Sequence, residues 1–173
     1  MALGTWNIDP SHSAIAFAVR HMVVSKTRGR FTKWSGQLRF DEENPVVSSV
    51  EVTIDPASID TADGQRDAHL RSADFLDVEK FPTASFRSTK VEEPDSGRYR
   101  ITGDLTVHGV TKSVTFDVQP LSPDTKTPFG TTIVGTSATT RINRRDFGIT
   151  GGTAGVMVGD EVNITLDLEL VKQ

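Results

Sequence analysis

The sequence predicts an all-β protein, a single antiparallel eight-stranded up-and-down barrel with one short helix near residues 65–72. Three observations carry this expectation. Apolar and polar residues alternate with a period of two in segment after segment, most clearly from Glu161 to Val171, where Val162, Ile164, Leu166, Leu168 and Leu170 interleave with Asn163, Thr165, Asp167 and Glu169. Short turns rich in Pro, Gly, Asp and Asn separate these segments, which favours antiparallel neighbours. No helical periodicity is available to cover the apolar faces, so strands that are each wet on one side must close on themselves or stack as two sheets. Closure is favoured because it removes open edges, and about eight strands leave an interior that side chains fill or that holds one small ligand.

In chain order, strands are expected at Thr5 to Ile8, His12 to Arg20 and Phe31 to Phe40. The next runs from Ser49 to Asp55, where Val50, Val52 and Ile54 alternate with polar residues, and others follow at Ala84 to Val91 and Tyr99 to Val107. Val114, Phe116 and Val118 mark another, before Thr131 to Ile142 and the final strand. Turns fall at Asp41-Glu42-Glu43-Asn44-Pro45, Glu93-Pro94-Asp95-Ser96-Gly97 and His108-Gly109, with a Pro-rich connection from Pro120 to Pro128. Between Phe31 and Phe40 the alternation slips, since Phe31 is out of phase with Trp34, Leu38 and Phe40. A bulge near Gly36 is the expected cause.

Composition narrows the function classes. At 173 residues the chain reads as one domain, 1–173, long enough to bury roughly 70% of its unfolded surface. It has no cysteine, which excludes disulfides, zinc-thiolate sites and a thiol nucleophile. The formal charge of −4, with both signs spread along the chain, argues against a nucleic-acid partner. The opening residues show neither a basic nor an apolar leader region, and no run approaches the ~18 apolar residues of a membrane span, so the expectation is a cytoplasmic protein with no integral membrane segment.

The run Arg66 to Pro82 does not alternate. Ala68, Leu70, Arg71 and Ala73 favour helix and Asp63-Gly64 can start one, so a helix from about Gln65 to Ser72 is expected. Phe75, Leu76, Val78 and Phe81 add apolar bulk behind it. Set over one mouth of a barrel, this segment is either a lid on a cavity or a plug completing the core, and residue patterns do not separate the two. Arg66, Asp67, His69 and Arg71 read mainly as a solvated helix face with local ion pairs, with orientation of a polar head group as the alternative.

Other chemistry is thinly represented. His12, His21, His69 and His108 lack metal-binding spacing, so a metal site would have to be assembled by the fold, and neither metal nor cofactor is expected. Asp9, His12 and Ser13 are triad residue types, but sequence neighbours serve better as a turn. Gly148 to Gly159 holds five glycines without a phosphate-binding pattern and reads as a flexible mouth loop. Asn143-Arg144-Arg145-Asp146 reads as a salt-bridged turn, with anion binding by the Arg forks as the alternative. The sequon Asn163-Ile164-Thr165 lies inside a strand and is treated as chance.

Several motifs, in order, resemble one known family. They are Trp6-Asn7-Ile8-Asp9-Pro10-Ser11-His12-Ser13, Val19-Arg20-His21, Gly29-Arg30-Phe31, Thr61, Arg66-Asp67-Ala68-His69-Leu70-Arg71-Ser72-Ala73-Asp74-Phe75, Phe81-Pro82, Gly103-Asp104-Leu105-Thr106-Val107-His108-Gly109-Val110-Thr111 and Ile142-Asn143-Arg144-Arg145-Asp146-Phe147-Gly148. Across nearly the whole chain their order and spacing are similar to the YceI-like, polyisoprenoid-binding proteins. The resemblance implies a lipocalin-like barrel whose interior holds a long isoprenoid or similar amphipathic lipid, often in a homodimer. Many such relatives act in the periplasm.

The expectation is thus a non-enzymatic lipid-binding protein serving storage, transport or sensing. Ile15, Phe17, Val19, Trp34, Leu38, Phe40, Phe75, Leu76, Phe81, Phe86, Leu105, Phe116, Ile164, Leu166 and Leu168 are the expected apolar lining, and His21, Arg66, His69 and Arg144 are the candidates for a polar end. The alternatives are an enzyme with a histidine, His21 or His69, at the barrel mouth, and a filled barrel that binds a partner.

Overall fold

A computed structural model describes residues 4–41 and 43–173. The turn expected at 41–45 includes Glu42, which lies outside the described residues.

The alternating segments form strands β1 (Gly4–Ile8), β2 (Ala14–His21), β3 (Ser25–Phe31), β4 (Trp34–Phe40), β5 (Ser49–Ile54), β6 (Ile59–Asp60), β7 (Ala84–Asp95), β8 (Arg98–Val107), β9 (Val110–Val118), β10 (Thr125–Lys126), β11 (Thr132–Asn143) and β12 (Val158–Lys172), with one helix, α1 (Gly64–Arg71). They build a closed antiparallel barrel of eight staves. Three staves are each broken in two: β1 and β2 by a 3-10 turn at Pro10–His12, β3 and β4 at Thr32-Lys33, and β5 and β6 by a 3-10 turn at Pro56–Ser58. β7, β8, β9, β11 and β12 complete the set, and β10 is a short appendage on β11.

Each stave pairs with its sequence neighbour. The ring closes where β12 pairs along its length with β11 on one side and with β2 and β1 in succession on the other. Closure leaves no stave without a partner on either side, although β9 and β11 meet only at Ala138↔Val118 and Thr139↔Asp117 among the described residues. Up-and-down order places the β2–β3 turn, α1 with residues 61–83, the β8–β9 turn and residues 144–157 at one end, the lid end. Gly4, Gln173 and the remaining described connections lie at the other. There Trp6, Phe40, Val134 and Leu170 are buried, and Phe40 meets Tyr99 edge-on at 5.9 Å.

The phase slip before Trp34 is not a bulge at Gly36. The β4–β5 register runs unbroken from Trp34↔Ile54 to Arg39↔Ser49. The stave breaks instead at Thr32-Lys33, whose backbone amides donate to Ser58 O at 3.2 Å and Ser58 Oγ at 3.0 Å. Gly36 is a packing position, since a Cβ there would stand 2.5 Å from Ile8 Cδ1. The sequence pattern also misses the Ser25–Arg30 part of β3, where Thr27 and Gly29 replace large apolar residues in phase with Phe31. The ring of Phe17 lies directly over Gly29 and covers it.

Candidate functional site

The inward phase of the staves lines a cavity of about 280 Å³ whose wall is almost wholly apolar. Alternation delivers Phe17 and Val19 from β2, Trp34 and Leu38 from β4, Phe86 from β7 and Leu166 from β12 into one space. Every expected lining residue borders it except Phe81. Sequence reading missed further lining from β5, β8 and β11, among them Val52, Ile101 and Ile142, although these share the same alternation. The polar lining residues are Ser48, Ser49, Thr136 and Arg144.

Residues 61–83 cross the lid end. Asp63 caps α1 by accepting from the amides of Gln65 and Arg66 at 3.1 and 3.0 Å. One turn on, Asp67 is buried and its Oδ1 accepts from both the amide and the hydroxyl of Thr61, at 2.9 and 2.5 Å. Arg66 donates to the same threonine, Nε to Oγ1 at 2.8 Å and Nη2 to the carbonyl at 2.7 Å. Arg71 Nε donates to Ala57 O at 2.8 Å. The cationic face of the helix thus fastens it to the chain leaving β5. Leu70, Phe75 and Leu76 face the cavity, and His69 sits edge-on over Phe75 with Nε2 2.8 Å from Asp74 Oδ2.

Phe81 lies elsewhere. Its ring packs 4.6 Å from that of His108 and against Gly109, fixing the end of the crossing segment to the β8–β9 turn. Its apolar bulk suggested the cavity, whereas its partners, distant in sequence, place it on the rim. Gly109 has φ +72 and a Cβ there would lie 2.5 Å from Phe81 Cε1, so this contact requires glycine on two counts.

Arg144 is 4% exposed. Its guanidinium donates to the carbonyls of Gly159, Ile149, Gly155 and Val158 at 2.8–3.0 Å and lies 3.2 Å from Asp160 Oδ1. Burial, with Arg145 adding to it, lowers its pKa from the ordinary value, and Asp160 opposes the shift. The glycine-rich run is folded around this side chain, with a 3-10 turn at Gly152–Met157, and the amide of Gly151 donates to Asp74 O at 2.8 Å. Loop and crossing segment are therefore latched together. His21 is exposed at the end of β2, in the inward phase above Val19, and pairs with Val158.

The fold also gathers Asp9, His12 and Glu169 at the β1–β2 break, with ligand-type atoms within 4.8 Å of one another. Hydrogen bonds within the turn account for the arrangement. Asp9 accepts from Ser11 N at 2.9 Å and lies 3.0 Å from His12 Nδ1, which holds its carboxyl down at about 2. The same bond, aided by the charge of Glu169, raises the pKa of His12.

The YceI-like domain model matches residues 6–170 of this chain. The chain belongs to the YceI-like family. A UPF0312 protein of Vibrio cholerae is 38% identical over 154 residues, covering 89% of this chain and 81% of the relative. Among solved structures, Burkholderia cenocepacia BcnA superposes with a TM-score of 0.84 at 26% identity, covering 94% of this chain and 98% of that one. A polyisoprenoid binding domain from Saccharophagus degradans, implicated in plant cell wall breakdown, has a TM-score of 0.71 at 16% identity over 99% and 100% of the two chains. At that identity the likeness is one of fold. The YceI-like barrel thus agrees with what the motifs implied, and the short helix with what its residue propensities and capping predicted.

Proposed function

We propose that this YceI-like protein binds one long isoprenoid or comparable amphipathic lipid, with the apolar chain in the barrel and the polar end at the lid end. The carrying observation is the apolar cavity of about 280 Å³ inside the barrel, beneath a latched crossing segment. A space of that kind gains by taking up hydrocarbon, at roughly 0.8 kcal/mol per methylene removed from water. It lies near the lower end of the ~300–1,000 Å³ range of small-molecule sites, so a long chain extends through the lid end or displaces the crossing segment as it enters. The fold shared with a polyisoprenoid binding domain supports the same class of ligand.

Of the polar-end candidates, Arg144 and Arg66 have donors committed to carbonyls and to Thr61. His21 and His69 are exposed at the mouth, and since His69 Nε2 lies 2.8 Å from Asp74 Oδ2, His21 is the better contact for a hydroxyl or phosphate head. Binding rather than catalysis is favoured because the wall offers few polar groups, the most strongly polar being a guanidinium already surrounded by acceptors. A homodimer remains part of this proposal, read by the native mass of the purified protein.

The test is titration with prenyl alcohols of increasing length, followed by thermal shift and native mass spectrometry. Affinity rises with each added isoprene unit and then levels off. A Leu166→Trp variant, which fills the cavity, keeps its β spectrum and loses at least tenfold in affinity. Length-independent binding, or binding untouched by Leu166→Trp, contradicts the reading.

A further inference from the structure

Beside the mouth, the barrel projects an apolar tip whose residues take no part in the core. Val23, Val24 and Val156 are 83%, 87% and 89% exposed, with Met22 and Met157 also exposed. The two segments form one patch, since Met22 N donates to Met157 O at 2.8 Å. Solvation alone gives no reason for a hairpin turn of Met-Val-Val. Its conformation adds a cost: Met22 and Val23 have φ of 52 and 62, and a β-branched residue in that region is strained. Asn or Gly is the ordinary choice for such a turn.

The staves leading to the tip are cationic. From Ser13 to Phe40 the chain carries Arg20, Lys26, Arg28, Arg30, Lys33 and Arg39 and no Asp or Glu, although the net charge is −4. Arg20, Lys26, Arg28 and Arg30 are exposed on the outer face of β2 and β3, where Arg20 is directly opposite Lys26. Neighbouring acids on β12 are engaged by other arginines, Asp160 by Arg145 at 2.8 Å and Glu161 by Arg141 at 3.8 Å. Asp60 approaches Arg30 at 3.7 Å.

We propose that this tip and its cationic flank dock the protein on an anionic lipid bilayer, with Met22, Val23, Val24, Val156 and Met157 entering the interface and Arg20, Lys26 and Arg28 meeting phosphate headgroups. Charge decides for a bilayer over a second copy of the chain, because a twofold contact through this hairpin sets cation against cation. Apolar side chains rimmed by Lys and Arg match the layering of an interface, apolar beneath and anionic above. Docked this way, the mouth faces the bilayer, and Val158, beside Met157, already lines the cavity. The inference goes beyond the cargo proposal and does not require a bound ligand.

The experiment is sedimentation with vesicles free of isoprenoid, one set phosphatidylcholine alone and one set equal parts phosphatidylcholine and phosphatidylglycerol. The protein partitions to the anionic set and is released as salt rises. Val23→Asn relieves the turn, so the melting temperature rises while vesicle binding falls about tenfold. Val156→Asp lowers binding by a similar factor, and each of Arg20→Gln and Lys26→Gln by about fivefold. Absence of binding to anionic vesicles overturns the proposal, as does binding indifferent to Val23→Asn and Val156→Asp. A concentration-dependent dimer that these variants dissolve, without vesicle binding, overturns it in favour of self-association. Failure of the cargo proposal leaves the vesicle result unchanged, because no cavity ligand is present in the assay.

Discussion

Asp67 shows how one side chain can hold the crossing segment. It is 6% exposed and accepts twice from Thr61, and Arg66 grips the same threonine from outside. Asp67→Ala strands the Thr61 amide and is expected to cost about 1–3 kcal/mol in urea unfolding. Arg144 separates a structural role from anion binding. Arg144→Met leaves its surrounding carbonyls without donors and costs about 3–5 kcal/mol, yet lipid affinity per folded molecule is unchanged. A selective loss of affinity for charged-headed lipids at unchanged stability would assign it to the ligand instead. Asp9 and His12 give a pH signature. Asp9 falls from 3.8 to about 2, so its contribution is complete above 3.8 and lost as pH falls through the lowered value. His12 is raised above 6.5, so its contribution is complete below 6.5 and lost as pH rises through the raised value. The stability difference between wild type and His12→Ala is therefore largest between pH 3.8 and 6.5. Thermal melts across pH check this, and a difference that grows above pH 7 contradicts it.

At the scale of elements, the lid end is two segments latched at Asp74 and Gly151, each with its own anchor, Thr61–Asp67 for the helix and the carbonyl cage of Arg144 for the loop. Gly151 has φ +81, and a Cβ there would stand 2.7 Å from Gly155 Cα and 3.1 Å from Phe75. Gly151→Ala is expected to loosen the latch, raising both association and release rates of a prenyl probe with little change in equilibrium affinity. Stopped-flow fluorescence reads this, and unchanged rates in a destabilised protein contradict it. The elements themselves were largely legible, because a strand with one wet face imposes period two on its own residues. Helix α1 falls within a residue of its expected ends because Asp63 and Ser72 cap it locally. What escaped was set by contacts distant in sequence. β3 hides because Phe17 on the neighbouring stave stands in for the side chain Gly29 lacks, Phe81 is held by His108, and the phase slip reflects hydrogen bonds to Ser58 rather than anything at Gly36.

For the whole molecule, closure does two things. Antiparallel pairing from stave to stave closes the barrel without any disulfide, and it surrounds an interior that these side chains do not fill. A solid core packs to crystal-like density, so a retained apolar space in a closed barrel is what a hydrocarbon ligand requires. The lining was legible because it follows strand phase, but the space was not, since volume depends on how staves face each other across the barrel. The most direct measurement is native mass spectrometry, with lipid extraction, of protein purified without detergent and then offered long prenyl alcohols. The account predicts one lipid per barrel in the wild type and none in Leu166→Trp. A barrel that stays empty, with no thermal shift on adding prenyl lipid, would contradict it.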